Sequence, residues 1–331
     1  MSSRSWALGR LAAVVASSVL VSPCCGRAAV LSSIADAPAP ILEGFTADPN
    51  VVIFDDTYYV YPTSDRDQWL TTDFSAWSSK DLIHWQNEGL VFDVTRDLKW
   101  ANLRAWAPAV IRRDGKYFFY FCANQKIGVA THDTPTGHFA DALGRPLILP
   151  SEEFPGQTID PYVFIDDDEQ GYLYYGQGNL YVYKLNRDMV SFDGNPRELT
   201  PSHFNEGGLV IKRQGTYYFM WSENDARDAN YQVAYGTSKS PLGPIDLPTD
   251  NVILQKHAPA VGTGHHSVVQ VPGTDHWYIF YHRHAIPNGN GYIRETCMAR
   301  MEFDADGGIK PVDPLAPAFP IGSTGEPLSL Y

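Results

Sequence analysis

The chain has 331 residues, 25 Lys plus Arg against 38 Asp plus Glu for a formal charge of -13, and 13% aromatic residues. That acidic balance argues against nucleic acid or an anionic membrane as partner and suits a neutral substrate better. The length exceeds the ~100–200 residues of a common domain, but one all-β propeller or barrel runs that long.

Read from its start, the chain shows Arg4 and Arg10, an apolar stretch from Leu11 to Val21, and small residues through Ala28 and Ala29. This is the layout of a signal peptide over residues 1–29, so the mature protein is expected to be secreted or periplasmic. The apolar run falls short of the ~20 residues that span a bilayer. The remainder, residues 41–331, is read as one domain. It carries Cys122 and Cys297 in apolar, strand-like contexts, which reads as two buried thiols, although an exported compartment permits a bond between them.

An aromatic strand pattern then recurs five times: Tyr58–Tyr61, Tyr117–Tyr120, Tyr172–Tyr175, Tyr217–Met220 and Trp277–Tyr281. Each copy follows a turn signal (Asp55-Asp56, Asp114-Gly115, Glu169-Gln170-Gly171, Gln214-Gly215, Gly273-Thr274-Asp275) and, before that, a β-branched or apolar run. The unit is a β-hairpin. A third strand follows in each unit at Trp77-Ser78-Ser79, Gly128-Val129-Ala130, Tyr181-Val182-Tyr183, Gln232–Tyr235 and Cys297–Arg300. Small antiparallel sheets must cover one another's faces, and radial packing is the closed solution, so the pattern predicts an all-β, five-bladed β-propeller. The acidic run Asp166–Glu169 falls in a hairpin turn and reads as solvated charge.

In a propeller the first strand of every blade lines the central channel. Counting back from each aromatic strand by a similar offset yields Asp48, Trp106, Asp160, Glu206 and His265. Three carboxylates converging on one channel are costly unless paired or used. Cleavage of a glycosidic bond needs one carboxylic acid to protonate the leaving oxygen and one carboxylate to activate water. A third carboxylate raises the pKa of the acid. Trp106 offers an apolar platform to a sugar face, and Arg283 offers donors to ring hydroxyls.

At these residues the sequence resembles glycoside hydrolase family 43. The matching elements are Ala47-Asp48-Pro49, Trp106-Ala107-Pro108, Ile159-Asp160-Pro161, Asn205-Glu206-Gly207 and Gly264-His265-His266-Ser267, in order from about Phe45 to Val312. The resemblance implies Asp48 as general base, Glu206 as general acid and Asp160 as the residue that tunes and orients the acid. It also implies His265 supporting a central calcium, Arg283 binding the cleaved sugar, and no organic cofactor. Members more often carry Asn at His266 and Gly-Pro in place of Gly207-Gly208. The substrate implied is an oligosaccharide or polysaccharide cleaved with inversion, by α-L-arabinofuranosidase action first and β-xylosidase second. Inversion calls for Asp48 and Glu206 about 6.5–9.5 Å apart. Two other functions bear weighing: a retaining invertase-like furanosidase, whose Asn-Asp-Pro-Asn-Gly and Glu-Cys markers are replaced here by Ala47–Val51 and Glu206-Gly207, and a non-catalytic sugar-binding propeller, which has no use for three acids in register.

Overall fold

The computed structural model describes residues 37–319. The segment read as a signal peptide lies outside them. Five antiparallel sheets follow one another along the chain. Blade 1 holds β1 (Thr46–Phe54), β2 (Thr57–Ser64), β3 (Asp73–Ser79) and β4 (Gln86–Asp93), followed by a single turn of helix, α1 (Val94–Asp97). Blade 2 holds β5 (Trp106–Arg113), β6 (Lys116–Ala123), β7 (Lys126–His132) and β8 (Ala140–Asp141). Blade 3 holds β9 (Tyr162–Ile165), β10 (Gly171–Tyr175), β11 (Tyr181–Leu185) and β12 (Arg197–Glu198). Blade 4 holds β13 (Glu206–Arg213), β14 (Thr216–Glu223), β15 (Gln232–Ser238) and β16 (Val252–Leu254), and blade 5 holds β17 (Gly264–Gln270), β18 (Trp277–His284) and β19 (Arg294–Met301).

The expected hairpins are β1–β2, β5–β6, β9–β10, β13–β14 and β17–β18. Three of their turns place both central residues in left-handed backbone: Asp55-Asp56, Asp114-Gly115 and Gln214-Gly215. This is the two-residue turn whose twist matches the flanking strands, and Asp and Gly tolerate it best. Fourth strands β4, β8, β12 and β16 complete four blades, the last three only two or three residues long.

Side chains of a strand alternate faces, so each aromatic strand feeds two interfaces. Tyr58 and Val60 pack toward blade 5, against Tyr278 and Phe280, while Tyr61 packs toward blade 2, against Phe119. The same alternation fills every gap, producing one apolar cluster between each pair of neighbouring blades. At ~1.5–3 kcal/mol for each large side chain buried, these gaps hold the ring closed. Blade 5 is finished by the opposite end of the chain: Ile41 N–H donates to the Thr296 carbonyl at 2.9 Å. Cys122 and Cys297 are buried and free.

The acidic run is only partly a solvated turn. Asp166 accepts hydrogen bonds from Lys212 Nζ at 2.6 Å and from the Tyr217 hydroxyl, so it ties blade 3 to blade 4.

Candidate active site

Every innermost strand enters the channel through one backbone device. A residue with left-handed backbone stands among its first three residues or, for β9, two residues before it: Asp48 (φ 48°), Ala107 (43°), Asp160 (56°), Gly207 (63°) and His265 (38°). The β-ladder register slips at four of these points, between Ala47 and Asn50, Trp106 and Ala109, Glu206 and Leu209, and Gly264 and His266. Such bulges re-aim side chains. Their freed backbone N–H groups are captured by side chains of the preceding blade: Asp48 by His282 Nδ1 (3.2 Å), Ala107 by Thr63 Oγ1 (2.8 Å), Gly207 by Asp160 Oδ2 (3.2 Å) and His265 by Ser222 Oγ (2.8 Å).

This corrects the equivalence read from the sequence. Asp48, Asp160 and His265 do share one position. Trp106 and Glu206 stand one residue earlier, because their own bulges place Ala107 and Gly207 at the left-handed position. All five nevertheless line one cavity of about 440 Å³ at the mouth of the channel.

Asp48 is buried and surrounded by nitrogen: Arg294 Nη1 at 3.0 Å, His282 Nδ1 at 3.1 Å and His265 Nδ1 at 3.4 Å. Burial by itself raises its pKa, but Arg294 and then His265 lead the influences that outweigh burial and hold the carboxyl well below its usual range. Asp160 shows the opposite balance. Burial, reinforced by the nearby charges of Glu206 and Asp48, pushes its pKa well up. For Glu206 burial also prevails, against the His265 imidazole and hydrogen bonds from Tyr231 and Gln177, and its pKa is raised. One cavity thus holds a carboxylate built to stay ionised beside two carboxyls that favour their proton. That asymmetry supplies a base and an acid at one pH.

Ligand atoms of Asp160, Glu206 and His265 all lie within 4.8 Å of one another, and Asp48 stands outside that cluster. Beneath them a void of about 20 Å³ is lined by Asp48, Asp160, His265 and His266 among others. Both nitrogens of buried His266 have no partner among the described residues, and burial lowers its pKa to about 3.

Arg283 does not reach the cavity. It follows His282, which faces Asp48, and by strand alternation it points the other way. There it pairs with Glu295 at 2.7 Å and donates to the Pro38 carbonyl at 2.7 Å, fastening the lead-in segment onto blade 5. The arginine of the cavity is Arg294, which lies on the opposite face from Glu295 and also donates to Asp65 from its backbone N–H, Nε and Nη2. Sequence reasoning missed Arg294 because it starts a third strand, and the register argument followed only first strands.

One side of the cavity is walled by the loop after β2. Gln68 and Trp69 are both left-handed, at φ 54° and 71°. The Trp69 indole N–H donates to the Gly291 carbonyl at 2.9 Å, its ring lies 4.5 Å from Tyr292, and its own carbonyl accepts from Trp106 Nε1 at 2.8 Å. Loops of blades 1 and 5 and the start of β5 in blade 2 are thereby locked into one rim. Nothing in the local sequence marks Trp69 or Tyr292 for this task.

Residues 37–309 match the family model described as Glycosyl hydrolases family 43. The chain is 35% identical to a β-D-galactofuranosidase of Aspergillus niger over 86% of this chain and 87% of that protein. Among solved structures it resembles an α-L-arabinofuranosidase from Clostridium thermocellum, with 33% identity, a TM-score of 0.69, and 82% and 94% of the two chains covered. It also resembles a β-xylosidase/α-arabinofuranosidase from a compost microbial metagenome, solved with xylotriose in a calcium-free form, with 26% identity, a TM-score of 0.71, and 83% and 97% covered.

Proposed function

This chain belongs to glycosyl hydrolases family 43 and is an inverting glycoside hydrolase acting on carbohydrate, and we propose that its substrate is a terminal furanose, α-L-arabinofuranose before β-D-galactofuranose. The observation that carries the reading is the cavity that sets Asp48, its pKa lowered, near Glu206, its pKa raised, against a wall at Trp69 and Tyr292. A wall on one side suits removal of an end residue. The two furanosides share one ring configuration and differ in a single exocyclic hydroxymethyl group, so a pocket for one needs little change to take the other. Relatives named for each stand at 33% and 35% identity.

The residue roles follow from the directions of these shifts. Asp48 takes a proton from water as that water's oxygen bonds to the anomeric carbon. The carbon–oxygen bond to the leaving group breaks with its electron pair, and the Glu206 proton passes to that leaving oxygen. Asp160 accepts the Gly207 N–H at 3.2 Å and so fixes the backbone beside Glu206, orienting the acid. Trp106, half-buried in the cavity wall, provides the apolar face for the sugar. Calcium would be held there as a hydrated ion, with the His265 nitrogen taking one of the ion's waters. Bound there, calcium would supply positive charge to two buried acids. The signal peptide read at residues 1–29 makes the secreted or periplasmic compartment the proposed place of action.

A panel of nitrophenyl glycosides tests the substrate. The highest kcat/KM is expected on the α-L-arabinofuranoside, with the β-D-galactofuranoside next. A clear preference for the β-D-xylopyranoside removes the furanose reading, and no turnover on any of them removes the hydrolytic one.

Arg294 provides a second test. It is the largest influence lowering the Asp48 pKa. The double substitution Asp65→Asn with Arg294→Met leaves no unpaired charge at position 65, so Asp48 is the one buried carboxylate that loses the guanidinium, with His265 and His282 still beside it. The Asp48 pKa then rises, and the acid limb of the kcat/KM–pH profile moves upward by about 1–3 units, the usual effect of an adjacent opposite charge. An acid limb that stays put contradicts Asp48 as the base.

A further inference from the structure

Three glutamines form a hydrogen-bonded line from the rim of the cavity to Glu206. Gln125 Nε2 donates to Gln157 Oε1 at 2.6 Å, Gln157 Nε2 donates to Gln177 Oε1, and Gln177 Nε2 donates to Glu206 Oε2. The backbone sets the line up. Gln125 occupies the two-residue turn Asn124-Gln125 between β6 and β7, both residues left-handed. Gln157 and Gln177 exchange both backbone hydrogen bonds at 3.0 Å, which holds their side chains next to each other. Glycine permits that approach: at Gly156 (φ 102°) a Cβ would lie 2.5 Å from the Gln177 carbonyl oxygen, and at Gly176 (φ 123°) it would lie 2.2 Å from the Asn179 carbonyl oxygen.

The sense of the line is dictated from its inner end. Once Glu206 has given up its proton it only accepts hydrogen bonds, and Gln177 already turns its amide nitrogen inward to meet that state. Its oxygen then faces Gln157, and that of Gln157 faces Gln125. Three amide dipoles align head to tail with their N–H ends toward Glu206, an arrangement in which each bond strengthens the next. The other carboxylate oxygen, Oε1, accepts from the buried Tyr231 hydroxyl at 2.7 Å. Tyr231 is fully buried while Gln177 lines the cavity, so Oε2 is the oxygen on the cavity side.

We propose that Gln125, Gln157 and Gln177 act as one positioning relay that aims Glu206 Oε2 at the leaving group and stabilises the negative charge that appears there as its proton departs. The proposal rests on the reading of Glu206 as the acid. The relay is already oriented for the carboxylate and needs no rearrangement when the proton leaves. It works against burial, which favours the protonated form, and so makes Glu206 a stronger acid than its surroundings alone would allow.

Gln157→Met cuts the line while leaving Gln177 against Glu206, and since Gln157 is exposed folding is undisturbed. Removing donors from the ionised form raises the pKa of an acid, so the alkaline limb of the kcat/KM–pH profile is expected to move upward by roughly half a unit. Gln177→Met should move it further, by about one unit. For both, kcat on a poor leaving group should fall by about tenfold and kcat on an activated aryl glycoside by less than about twofold. The carboxyl carbon resonance of Glu206, assigned with Glu206→Gln, reports the same titration without turnover. A Glu206 titration unmoved in Gln157→Met overturns the relay even if Gln177→Met shifts it. A shifted titration in a protein that hydrolyses no glycoside leaves the relay standing and removes the functional reading instead.

Discussion

Asp48→Ala is expected to lower kcat by about 10⁴-fold on every glycoside, whatever its leaving group, the upper end of what a general base contributes. Water must lose its proton as it attacks, and this requirement is independent of how well the other side of the bond departs. No neighbour can substitute. Asp160 is held toward its protonated form by burial and by the charges of Glu206 and Asp48, and the remaining close partners of Asp48 are Arg294, His282 and His265. The pKa of His282 is lowered by burial and by Arg294 to about 3, leaving it neutral but committed to the Asp48 backbone N–H. Steady-state rates on the preferred aryl furanoside and on a natural oligosaccharide check the result. A loss confined to the oligosaccharide would reassign Asp48 to substrate binding.

Glu206→Ala should separate substrates by their leaving groups. On an oligosaccharide, whose departing alkoxide needs a proton, kcat falls by about 10²–10⁴-fold, whereas on a nitrophenyl glycoside, which leaves as a stable anion, the loss stays within about tenfold. The pH profile of the surviving activity supplies the signature. The wild-type profile is bell-shaped: activity appears as pH rises through the lowered pKa of Asp48 and disappears as pH rises through the raised pKa of Glu206. Without Glu206 the alkaline limb disappears and the acid limb remains. Equal losses on both substrates, with the bell intact, would place the acid elsewhere.

Much of this molecule is legible along the chain because its order is local. The hairpins at Asp55-Asp56, Asp114-Gly115 and Gln214-Gly215 announce themselves through residues that tolerate left-handed backbone, and the aromatic strands through a period of two that fills gaps on both sides. Five such units leave few architectures besides a closed ring. Asp48, Asp160 and His265 are legible for the same reason, since a repeated strand start carries them to one place. The fourth strands are less so. Two residues of pairing, as in Ala140–Asp141 and Arg197–Glu198, leave no pattern to read.

Arg283 and Arg294 mark the boundary between what the chain determines by itself and what only the folded molecule decides. Sequence alone determined the repeat, the ring and the convergence of three acids, because each follows from spacing within one strand and its turn. Which arginine enters the cavity depended on cross-strand partners: alternation along β18 turns His282 to Asp48 and Arg283 to Glu295, and β19 returns Arg294 to Asp48. The bulges that set Trp106 and Glu206 one residue ahead of the other blades, the indole of Trp69 reaching Gly291 across 222 residues, and the glutamine line from blade 2 to Glu206 are likewise contacts between distant segments. The tertiary structure decides them because a side chain's direction and charge state are set by whatever packs against it, and a propeller brings those neighbours from other blades.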